Sequence, residues 1–522
     1  RFRYIMKVKN TVIVGGGTAG WATAHHFINN TSPDTKITVV AAKEIPIIGV
    51  GESTTGRFND LIRNSKISLG DEKEFLKETE STFKIGIKHT DWHTVGKSFY
   101  SPLGDNYYNH LTYPSKHYDM YRVWHIAKGK EYISTFQARL MAENKLHFLN
   151  DKNVYTDMGK EDGHPVAYHL DTYKVGQYLK RKAINCKSKL KYIDGKVEGF
   201  AQNKDGFVKH IILKGNKKVK GDLFVDCTGF ARVLIDKVEK NKWVSYQNDL
   251  LVDSALNFNY ERKEDEPIRN YTHAWAQKYG WCWEIPTQTR MGCGYVFSSK
   301  HTNFDKAYDE ISKVMKKQGK KVNVQREIKF KAGRYEKFWV KNVLSTGLSS
   351  AFIEPLEATS IHATIIQVTH FLEHYFKKHM PFEANVLQDQ YNSEMTQMWD
   401  NIRDFIVYHY VSPRKDTKFW IEASKEERRS PRLKRLMNIW KYRMPREVDY
   451  VNDVGNNFYH MGNTLWYQIA MGMKLFDPKL AQQELDDYNL MNSCNNFYDQ
   501  ATKYINEILP KMPTTNNYYE SL

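Results

Sequence analysis

The chain has few cysteines and no long apolar run, and both shortages limit the kind of protein it can be. Its five cysteines among 522 residues are odd in number, and none forms a CxxC pair. This usage predicts neither a disulfide framework nor a zinc site and favours a reducing cytoplasm. No stretch approaches the roughly 18 apolar residues of a membrane span, and the apolar run at residues 11–14 is too short for the core of a secretion signal. We therefore expect a cytoplasmic protein without a membrane segment.

The sequence also lacks internal repeats, Gly/Ser-rich linkers and low-complexity segments, so it shows no sharp domain boundary. With 41% apolar residues, the chain is long enough for one large or two to three ordinary domains. Strand-like patterns prevail in its first part, while apolar residues at spacings of three to four predict helices from Ala358 onward. We predict a composite core over residues 1–385 and a mainly helical part over residues 386–522 that packs on it.

Positive charge is in excess, with 77 Lys and Arg against 60 Asp and Glu and a formal net charge of +17. Such a balance favours encounters with anions, among them nucleic acids and phosphorylated cofactors. The densest basic stretch, Lys425 to Arg446, is interrupted by glutamates and apolar residues, so a solvated helix face explains it better than a binding surface. A nucleic-acid-binding protein remains a non-enzymatic alternative, for which this stretch is the only support.

A glycine-rich loop follows the first predicted strand, residues 11–14, and opens a predicted helix over residues 21–29. Its glycines have the GxGxxG spacing of dinucleotide-binding folds: the first permits the tight turn, the second the approach of the pyrophosphate, and the third close packing of helix on strand. The N–H groups at the helix start suit phosphate. The loop residues predicted to bind the cofactor are Gly15, Gly17, Thr18, Ala19 and Gly20.

The strand that follows, residues 37–40, ends without the acidic residue that commonly holds the adenosine ribose. Ala41 occupies that position, and Glu44 lies three residues further on. Either Glu44 takes the place of the missing acid or the adenosine end is held loosely. The sequence contains no second GxGxxG for a nicotinamide nucleotide. We therefore expect that the protein does not itself reduce a bound redox cofactor with a nicotinamide nucleotide and depends on a separate reductase.

Two later stretches favour FAD over NAD. The run Asp226-Cys227-Thr228-Gly229-Phe230 resembles the DCxGF segment of flavin monooxygenase-like enzymes, and Ser345-Thr346-Gly347-Leu348 resembles the segment of that superfamily that touches the flavin ribityl chain and pyrophosphate. Gly347 and Leu348 are therefore expected to contact the cofactor. The predicted fold class is α/β, a Rossmann-type FAD-binding core of the flavin monooxygenase-like superfamily with an additional sheet and a C-terminal helical part.

Four ordered motifs resemble the flavin-dependent halogenases, the tryptophan-halogenase family. They are Trp281-Cys282-Trp283-Glu284-Ile285-Pro286, the strap-like run Ile48-Gly49-Val50-Gly51-Glu52-Ser53-Thr54, the segment Phe83-Lys84-Ile85-Gly86-Ile87-Lys88, and Phe352-Ile353-Glu354-Pro355-Leu356-Glu357-Ala358-Thr359-Ser360-Ile361. Matches run in order from about residue 11 to residue 366. The resemblance implies an enzyme that uses FADH2, dioxygen and a halide to make hypohalous acid and then halogenates an aromatic substrate.

The same resemblance assigns roles to individual residues. It makes Lys84 the catalytic lysine that relays the oxidant and Glu357 the glutamate near it. It places Gly49, Val50, Gly51 and Glu52 over the flavin, and it makes Thr359 and Ser360 the halide-binding residues. In the family the Trp motif, here Trp281, Trp283, Ile285 and Pro286, lies beside the flavin path.

The individual residues also permit plainer interpretations. Lys84 could be a surface lysine, Glu357 an ordinary charge at a helix N-terminus, and the two tryptophans simple core residues. A flavin-dependent aromatic monooxygenase shares the glycine loop but leaves the lysine, the glutamate and the Trp motif unexplained. His89 and His93 are spaced like a metal pair, yet no HExxH or third ligand accompanies them, so we expect no metal.

The segment after the lysine motif argues against free tryptophan as the substrate. Family members specific for it place a His and a Phe there, whereas this chain has Ser101 and Leu103, which cannot stack on indole. We expect an electron-rich phenol or indole instead. Bromide and iodide are easier to oxidise than chloride, so they are weakly favoured, and chloride remains open. The oligomeric state also remains open, a homo-oligomer included.

Overall fold

The computed structural model describes residues 6–45, 52–63, 71–103, 120–130, 135–149, 152–154, 166–186, 188–382, 385–449 and 463–522. The chain divides into two compact units, each assembled from three stretches. The first unit is Arg1–Ser81, Leu170–Tyr246 and Lys331–Asp400, and the second is Thr82–His169, Gln247–Phe330 and Asn401–Leu522. The division at residue 385 expected from the sequence follows chain order and remains a prediction.

The first unit contains the Rossmann sheet. Its strand order is Leu190–Asp194, Lys36–Ala41, Asn10–Val14, Leu223–Asp226, Val343–Ser345 and Trp339–Val340. The first five strands are parallel, and the last is antiparallel. The two central strands, Asn10–Val14 and Leu223–Asp226, are buried along most of their length, as parallel sheets covered on both faces require. The predicted strand–loop–helix–strand opening is confirmed, with its helix at Thr18–Asn30.

Smaller elements complete the first unit. The strands form the sets Val197–Gln202 with Val208–Leu213 and Lys217–Lys220, Trp243–Ser245 with Gly333–Tyr335 and Ala351–Phe352, and Met6–Lys7 with His379–Met380. Glu52–Ser53 is a further short strand. The helices are Asn59–Arg63, Glu72–Thr79, Thr172–Ile184 and Thr359–His370, the last continued by a π-turn at Phe371–Tyr375.

The second unit is built on a seven-stranded sheet. Its order is Asn323–Lys329, Ser254–Glu261, Arg290–Phe297, Gly280–Pro286, Tyr271–Ala276, Gly86–Thr90 and Ser98–Pro102. Neighbours are antiparallel except for the parallel pair Tyr271–Ala276 and Gly86–Thr90. The helix Phe304–Lys317 buries Ala307, Ile311 and Met315 in one apolar cluster with the sheet, because these residues recur at helical spacing along one face. This is the additional sheet expected from the sequence.

Two short pairings lie beside this sheet. Thr82–Lys84 pairs antiparallel with the strand at Ala167–Leu170, with Lys84 opposite Ala167 and Thr82 opposite His169. Phe148–Leu149 pairs with Lys152–Asn153. Besides Phe304–Lys317, the described helices of this unit before residue 385 are Met120–Ala127 and Phe136–Glu143.

The described residues beyond 385 are mainly helical, as expected. The helices are Asn385–His409, Lys418–Ala423, Pro431–Ile439, Asn463–Gly472, Pro478–Asp487, Met491–Ile508 and Thr515–Glu520. No described helix combines the length and the apolar character that crossing a membrane requires.

The cysteines and the basic stretch can be placed in this fold. All five cysteines are free thiols, four of them buried and Cys186 partly exposed. In the basic stretch, several arginines are paired with acids of the second unit: Arg428 with Glu422, Arg432 with Asp404, Arg443 with Asp449 and Arg446 with Glu484. Much of the positive charge at 425–446 is therefore neutralised by neighbours within the unit.

Candidate active site

The glycine loop has a geometry that only glycine permits at two positions. Gly15 has φ +122°, and a Cβ atom there would lie 2.2 Å from the carbonyl oxygen of Cys227. A Cβ at Gly20 would lie 2.1 Å from the carbonyl oxygen of Gly15. By contrast, a Cβ at Gly17 would meet nothing within 4 Å, so space is open at the middle glycine. Close packing at the outer glycines and open space between them fit a bound pyrophosphate.

The start of the first helix also fits an anionic cofactor. Gly17 caps the helix Thr18–Asn30 and offers no side-chain hydrogen bond to it. The first N–H groups of a helix have no partner inside the helix, and the helix dipole favours negative charge at this end. The residues present therefore fit the predicted FAD, whose phosphates would meet the helix start at Thr18 and Ala19.

Gly347 lies against the same helix start. Its φ is +66°, and a Cβ there would lie 2.8 Å from the Cβ of Ala19 and 3.6 Å from Oγ1 of Thr364. The turn Gly347–Ser349 is held in place because the hydroxyl of Ser349 and the N–H of Thr346 both donate to the carbonyl oxygen of Asp226. The structure thus brings the glycine loop, the predicted flavin segment with Leu348, and the helix Thr359–His370 together in the first unit.

The adenosine end of the cradle contains a carboxylate that the sequence did not single out. Asp194 ends the strand next to Lys36–Ala41 and lies opposite Ala41 in the parallel register. Its Oδ1 accepts from the backbone N–H of Lys43 at 3.1 Å, and its Oδ2 lies 3.3 Å from the Lys43 ammonium. The hydrogen bond from that backbone N–H lowers the pKa of Asp194 below its usual value against an opposing effect of burial, and the Lys43 ammonium adds to the lowering. Glu44 is exposed, and its predicted role remains a prediction.

The strap expected to cover the flavin, residues 48–54, lies only partly within the described residues. Gly49, Val50 and Gly51 lie outside the described residues. Glu52 is described, and its Oε2 is buried without a hydrogen-bond partner among the described part of the chain. Burial raises the pKa of this carboxyl to about 7. Glu52 is therefore an acid that takes up or releases a proton near neutral pH.

The predicted halide segment has an unusual backbone. Glu357 and Ala358 both adopt left-handed conformations, with φ values of 64° and 56°, and the helix begins directly after them at Thr359. No side chain caps this helix start. Left-handed residues followed by right-handed ones aim successive N–H groups to one side, an arrangement that binds anions. Such conformations cost about 1–3 kcal/mol each in non-glycine residues and cluster at functional sites.

Glu357 is not the exposed helix charge that the plainer interpretation requires. It is buried, and it lies in the 3₁₀ turn Leu356–Ala358 that precedes the helix. The helix it introduces leads through Ser360, whose carbonyl oxygen accepts from the hydroxyl of Thr364 at 2.8 Å. The glutamate and the predicted halide segment are therefore continuous in the first unit, with Glu357 and Thr359 buried and Ala358 and Ser360 partly exposed.

Lys84 lies in the second unit and is completely buried, which excludes a surface lysine. The residues on both sides of it are anchored. The N–H of Phe83 donates to the hydroxyl of Tyr519 at 2.6 Å, and the N–H of Ile85 donates to the carbonyl oxygen of Asn270 at 2.7 Å. The hydroxyl of Thr82 donates to the carbonyl oxygen of Pro286 at 2.7 Å, which ties the lysine strand to the last residue of the Trp motif.

The Trp motif forms the strand Gly280–Pro286, every residue of which is buried, Ile285 included. Side chains alternate along a strand, so Trp281 and Trp283 share one face. Their ring centroids are 6.1 Å apart, and Trp92 lies 6.2 Å from Trp281. Gly294 makes room for Trp283, since a Cβ there would lie 2.0 Å from its ring. The indole N–H of Trp283 is buried with no acceptor among the described residues.

The opposite face of this strand contains a buried ionic network that the sequence did not reveal. Glu284 accepts from Arg269 at 2.8 Å, from Nδ1 of His273 at 2.6 Å and from the hydroxyl of Tyr260 at 2.8 Å. Burial opposes its charge, but Arg269 and His273 more than offset that effect and hold the pKa of Glu284 below its usual value. The motif thus has an aromatic face and an anchored anionic face, which explains the glutamate inside WxWxIP.

The segment expected to contact the substrate is polar at its centre. Ser101 is buried, and its hydroxyl donates to Oε1 of Gln468 at 2.8 Å. On the same strand, the ring of Phe99 stacks on that of His89 with centroids 4.7 Å apart. Ser101 is therefore committed to an amide partner, and no aromatic ring stands at its position.

Comparisons with known proteins agree with this geometry. The model of the family described as tryptophan halogenase matches residues 10–487. The chain belongs to the tryptophan-halogenase family. It is 30% identical over 509 residues to tryptophan 7-halogenase RebH of Lentzea aerocolonigenes, which covers 91% of this chain and 92% of that protein. It is 30% identical over 453 residues to tryptophan 6-halogenase ThaL of Streptomyces albogriseolus, covering 84% and 83% of the two chains.

Solved structures of the family superpose over nearly the whole chain. BrvH, a flavin-dependent halogenase from Brevundimonas sp. BAL3, has a TM-score of 0.80 at 26% identity, with 99% of this chain and 100% of that chain covered. A flavin-dependent halogenase from Xanthomonas campestris has a TM-score of 0.82 at 25% identity, covering 99% and 98%. The protein is thus a flavin-dependent halogenase, an oxidoreductase. As a member of this family it uses FADH2, a halide and dioxygen with an aromatic substrate, and it depends on a separate flavin reductase.

Proposed function

We propose that this protein halogenates an electron-rich phenol or indole other than free tryptophan, with Lys84 relaying the oxidant and Glu357 assisting. The observation that carries the proposal is the complete burial of Lys84 on a strand fixed to the Trp motif. Bound FADH2 supplies, with dioxygen, the oxidising equivalents that turn a halide into hypohalous acid. A buried amine that meets this acid confines it, whereas the free acid would attack protein side chains at random.

Lys84 suits the relay because of its surroundings. Burial disfavours the charged form of an amine, and a neutral amine is nucleophilic. As an ammonium, the side chain holds hypohalous acid by hydrogen bonding. As a neutral amine, it takes the halogen from oxygen onto nitrogen and releases water. Glu357 then hydrogen-bonds the oxidant or accepts the proton that the halogenated ring releases.

Halide binding is assigned to the backbone of Thr359 and Ser360. The uncapped helix start and the left-handed pair before it supply N–H groups that suit an anion of no particular shape. This recognition does not depend on a side chain, so it does not by itself select one halide. Bromide and iodide, being easier to oxidise than chloride, are expected to react faster.

Ser101 supports a substrate other than free tryptophan. The named relatives act on tryptophan, whereas here the position expected to stack on indole is a serine bonded to Gln468. Without an aromatic partner at this position, a free amino acid loses the sandwich that would orient its ring. Larger or differently shaped phenols and indoles do not require that sandwich.

The test is an incubation of the protein with FAD, a flavin reductase, NADH, oxygen and catalase, with chloride, bromide and iodide supplied separately. Free tryptophan and a panel of phenols and indoles are the substrates, and mass spectrometry reads the exchange of one hydrogen for halogen. Lys84→Ala should lower arene halogenation by about 10²–10⁴-fold while FADH2 oxidation continues. Lys88→Ala, four residues away, is the matched control.

Three results would overturn parts of this proposal. Arene halogenation at the wild-type rate in Lys84→Ala removes the lysine from the relay. Free tryptophan as the best substrate in the panel refutes the substrate class. A product that gains one oxygen and no halogen refutes aromatic halogenation as the reaction on these substrates.

A further inference from the structure

His169 joins the lysine strand to the seven-stranded sheet through a chain of hydrogen bonds. Its Nδ1 lies 3.1 Å from Oγ1 of Thr82, and its Nε2 lies 3.0 Å from Oγ1 of Thr272. Thr82 in turn donates to the carbonyl oxygen of Pro286. All three side chains are buried. The chain of bonds thus runs from one strand of the sheet, through the imidazole, to the strand of Lys84 and on to the end of the Trp motif.

The direction of each bond in this chain follows from chemistry. The single hydroxyl proton of Thr82 goes to the carbonyl of Pro286, so Thr82 can only accept from His169. Nδ1 therefore carries the imidazole proton. In a neutral ring Nε2 is then an acceptor, and the hydroxyl of Thr272 donates to it. Every polar atom of the imidazole is thereby bonded, with the ring in one tautomer and one orientation.

The surroundings keep this ring neutral. Burial, and then the positive charge of Lys84, lower the pKa of His169 well below its usual value. A neutral imidazole is what the bond set requires, because a charged ring would need two acceptors and Thr272 would have to turn its hydroxyl away. Geometry and electrostatics therefore agree on the same state.

We propose that His169 is a positioning residue for Lys84. It holds the lysine strand in the orientation in which the Lys84 side chain can bind hypohalous acid. This inference rests on the proposed relay role of Lys84. Thr82 and Lys84 are two residues apart on a strand, so their side chains share a face. A bond that fixes the Thr82 side chain also fixes the direction in which Lys84 leaves the backbone.

Positioning of this kind has a measurable consequence. A misplacement of about 1 Å at a catalytic group can cost about 10²-fold in rate. If Lys84 swings, hypohalous acid still forms at the flavin side but is no longer held, so it escapes. The expected defect is therefore loss of coupling: less halogenated arene per FADH2 consumed and more free hypohalous acid.

The experiment compares His169→Phe with His169→Asn. Phenylalanine keeps a ring but makes neither hydrogen bond, whereas the asparagine amide can supply the N–H that Nδ1 gives to Thr82. We expect His169→Phe to lower halogenated product per FADH2 consumed by about 10- to 100-fold, with free hypohalous acid, read by a halogen-accepting scavenger, rising in step. His169→Asn should restore most of the coupling at a similar melting temperature.

Two further variants, Thr272→Val and Lys84→Ala, distinguish failure of the positioning role from failure of the lysine relay. Thr272→Val removes the hydrogen bond at the outer end of this chain of bonds and should give a smaller loss of coupling than His169→Phe. It takes the place of His169→Phe if that variant does not fold. Wild-type coupling in His169→Phe, or in Thr272→Val where the former is not folded, would overturn the positioning role. Equal losses in His169→Phe and His169→Asn that follow their melting temperatures would reduce the residue to a packing role and also overturn it. Lys84→Ala, run alongside, shows whether the relay itself fails.

Discussion

The flavin-binding region of the first unit and the lysine strand of the second are built in opposite ways. The cofactor cradle is defined by what is missing: Gly15 and Gly20 leave no room for a side chain, and Gly17 faces open space. The lysine strand is defined by side chains that reach it from elsewhere, among them Tyr519 and His169. A phosphate needs backbone and space, whereas a buried amine needs to be held. The first region should therefore be sensitive to added atoms and the second to removed ones.

The largest effect is expected from adding one carbon to the cradle. Gly15→Ala places a Cβ 2.2 Å from a backbone oxygen at a φ of +122°, which should cost about 3 kcal/mol or more and prevent tight FAD binding. Gly17→Ala, where the space is open, is the matched control and should keep the melting temperature. Thermal unfolding and flavin fluorescence titration measure both, and a normal melting temperature for Gly15→Ala would contradict the argument.

Removing the charge of Glu284 tests the side-chain-built region. Glu284→Gln leaves Arg269 buried without its counter-charge, which should destabilise the protein by about 3–5 kcal/mol. Because the folded state depresses the pKa of Glu284, its stabilisation is present above the unfolded pKa of about 4.3 and is lost as the pH falls below it. The gap in melting temperature between wild type and variant should thus be constant from pH 7 to about pH 5 and narrow as the pH falls below about 4.3. A gap that does not narrow below about pH 4 would show that the carboxylate charge is not its source.

A smaller effect, and one confined to the Trp face, is expected from Gly294→Ala. The new Cβ would lie 2.0 Å from the ring of Trp283, so the indole must move, at a cost of about 1–3 kcal/mol. FAD binding should be unchanged, since Gly294 belongs to the second unit, while halogenated product per FADH2 consumed should fall. Measuring the yield of halogenated product and titrating FAD on the same preparation separates a loss of coupling from a loss of FAD affinity. Weakened FAD binding with unchanged product per FADH2 would contradict this prediction.

The smallest effect is expected at Lys88. Its ammonium lies 5.7 Å and 5.9 Å from the ring centroids of Tyr100 and Tyr271, contacts worth about 1 kcal/mol. Lys88→Met should change stability by no more than that and halogenation by less than about fivefold, since a 1.4 kcal/mol difference is tenfold. A loss comparable to that of Lys84→Ala would mean that burial is not what distinguishes the two lysines.

The cofactor cradle could be predicted from the sequence because its signals are local. Strand, glycine loop and helix follow each other within residues 10–30, and each glycine has its reason within that stretch or one strand away. The apolar residues of the strands Val208–Leu213 and Leu223–Asp226 likewise lie within a few consecutive positions. Local spacing decides these elements, so a single sequence contains the information.

The supports of the lysine could not be predicted in this way. Tyr519 lies 436 residues from the N–H that it accepts from, and His169 lies 87 residues from Thr82. Neither position belongs to a motif. The partners of Glu284 are Tyr260 on the strand two places away in the sheet, His273 on the adjacent strand, and Arg269 just before that adjacent strand. Asp194 lies opposite Ala41 because two parallel strands become neighbours. Such pairs come together because of the order of the strands in the sheet, and the spacing of residues along the sequence does not reveal that order.

The burial of the cysteines has a consequence for how long the enzyme survives its own chemistry. Hypohalous acid attacks thiolates fastest, so a thiol kept protonated and out of reach resists oxidation. Burial raises the thiol pKa of Cys227, Cys282, Cys293 and Cys494. Cys186 alone is partly exposed. Among the cysteines, oxidation during turnover should therefore begin at Cys186. The number of turnovers that a molecule completes then depends on how well escaping hypohalous acid is kept away from this thiol.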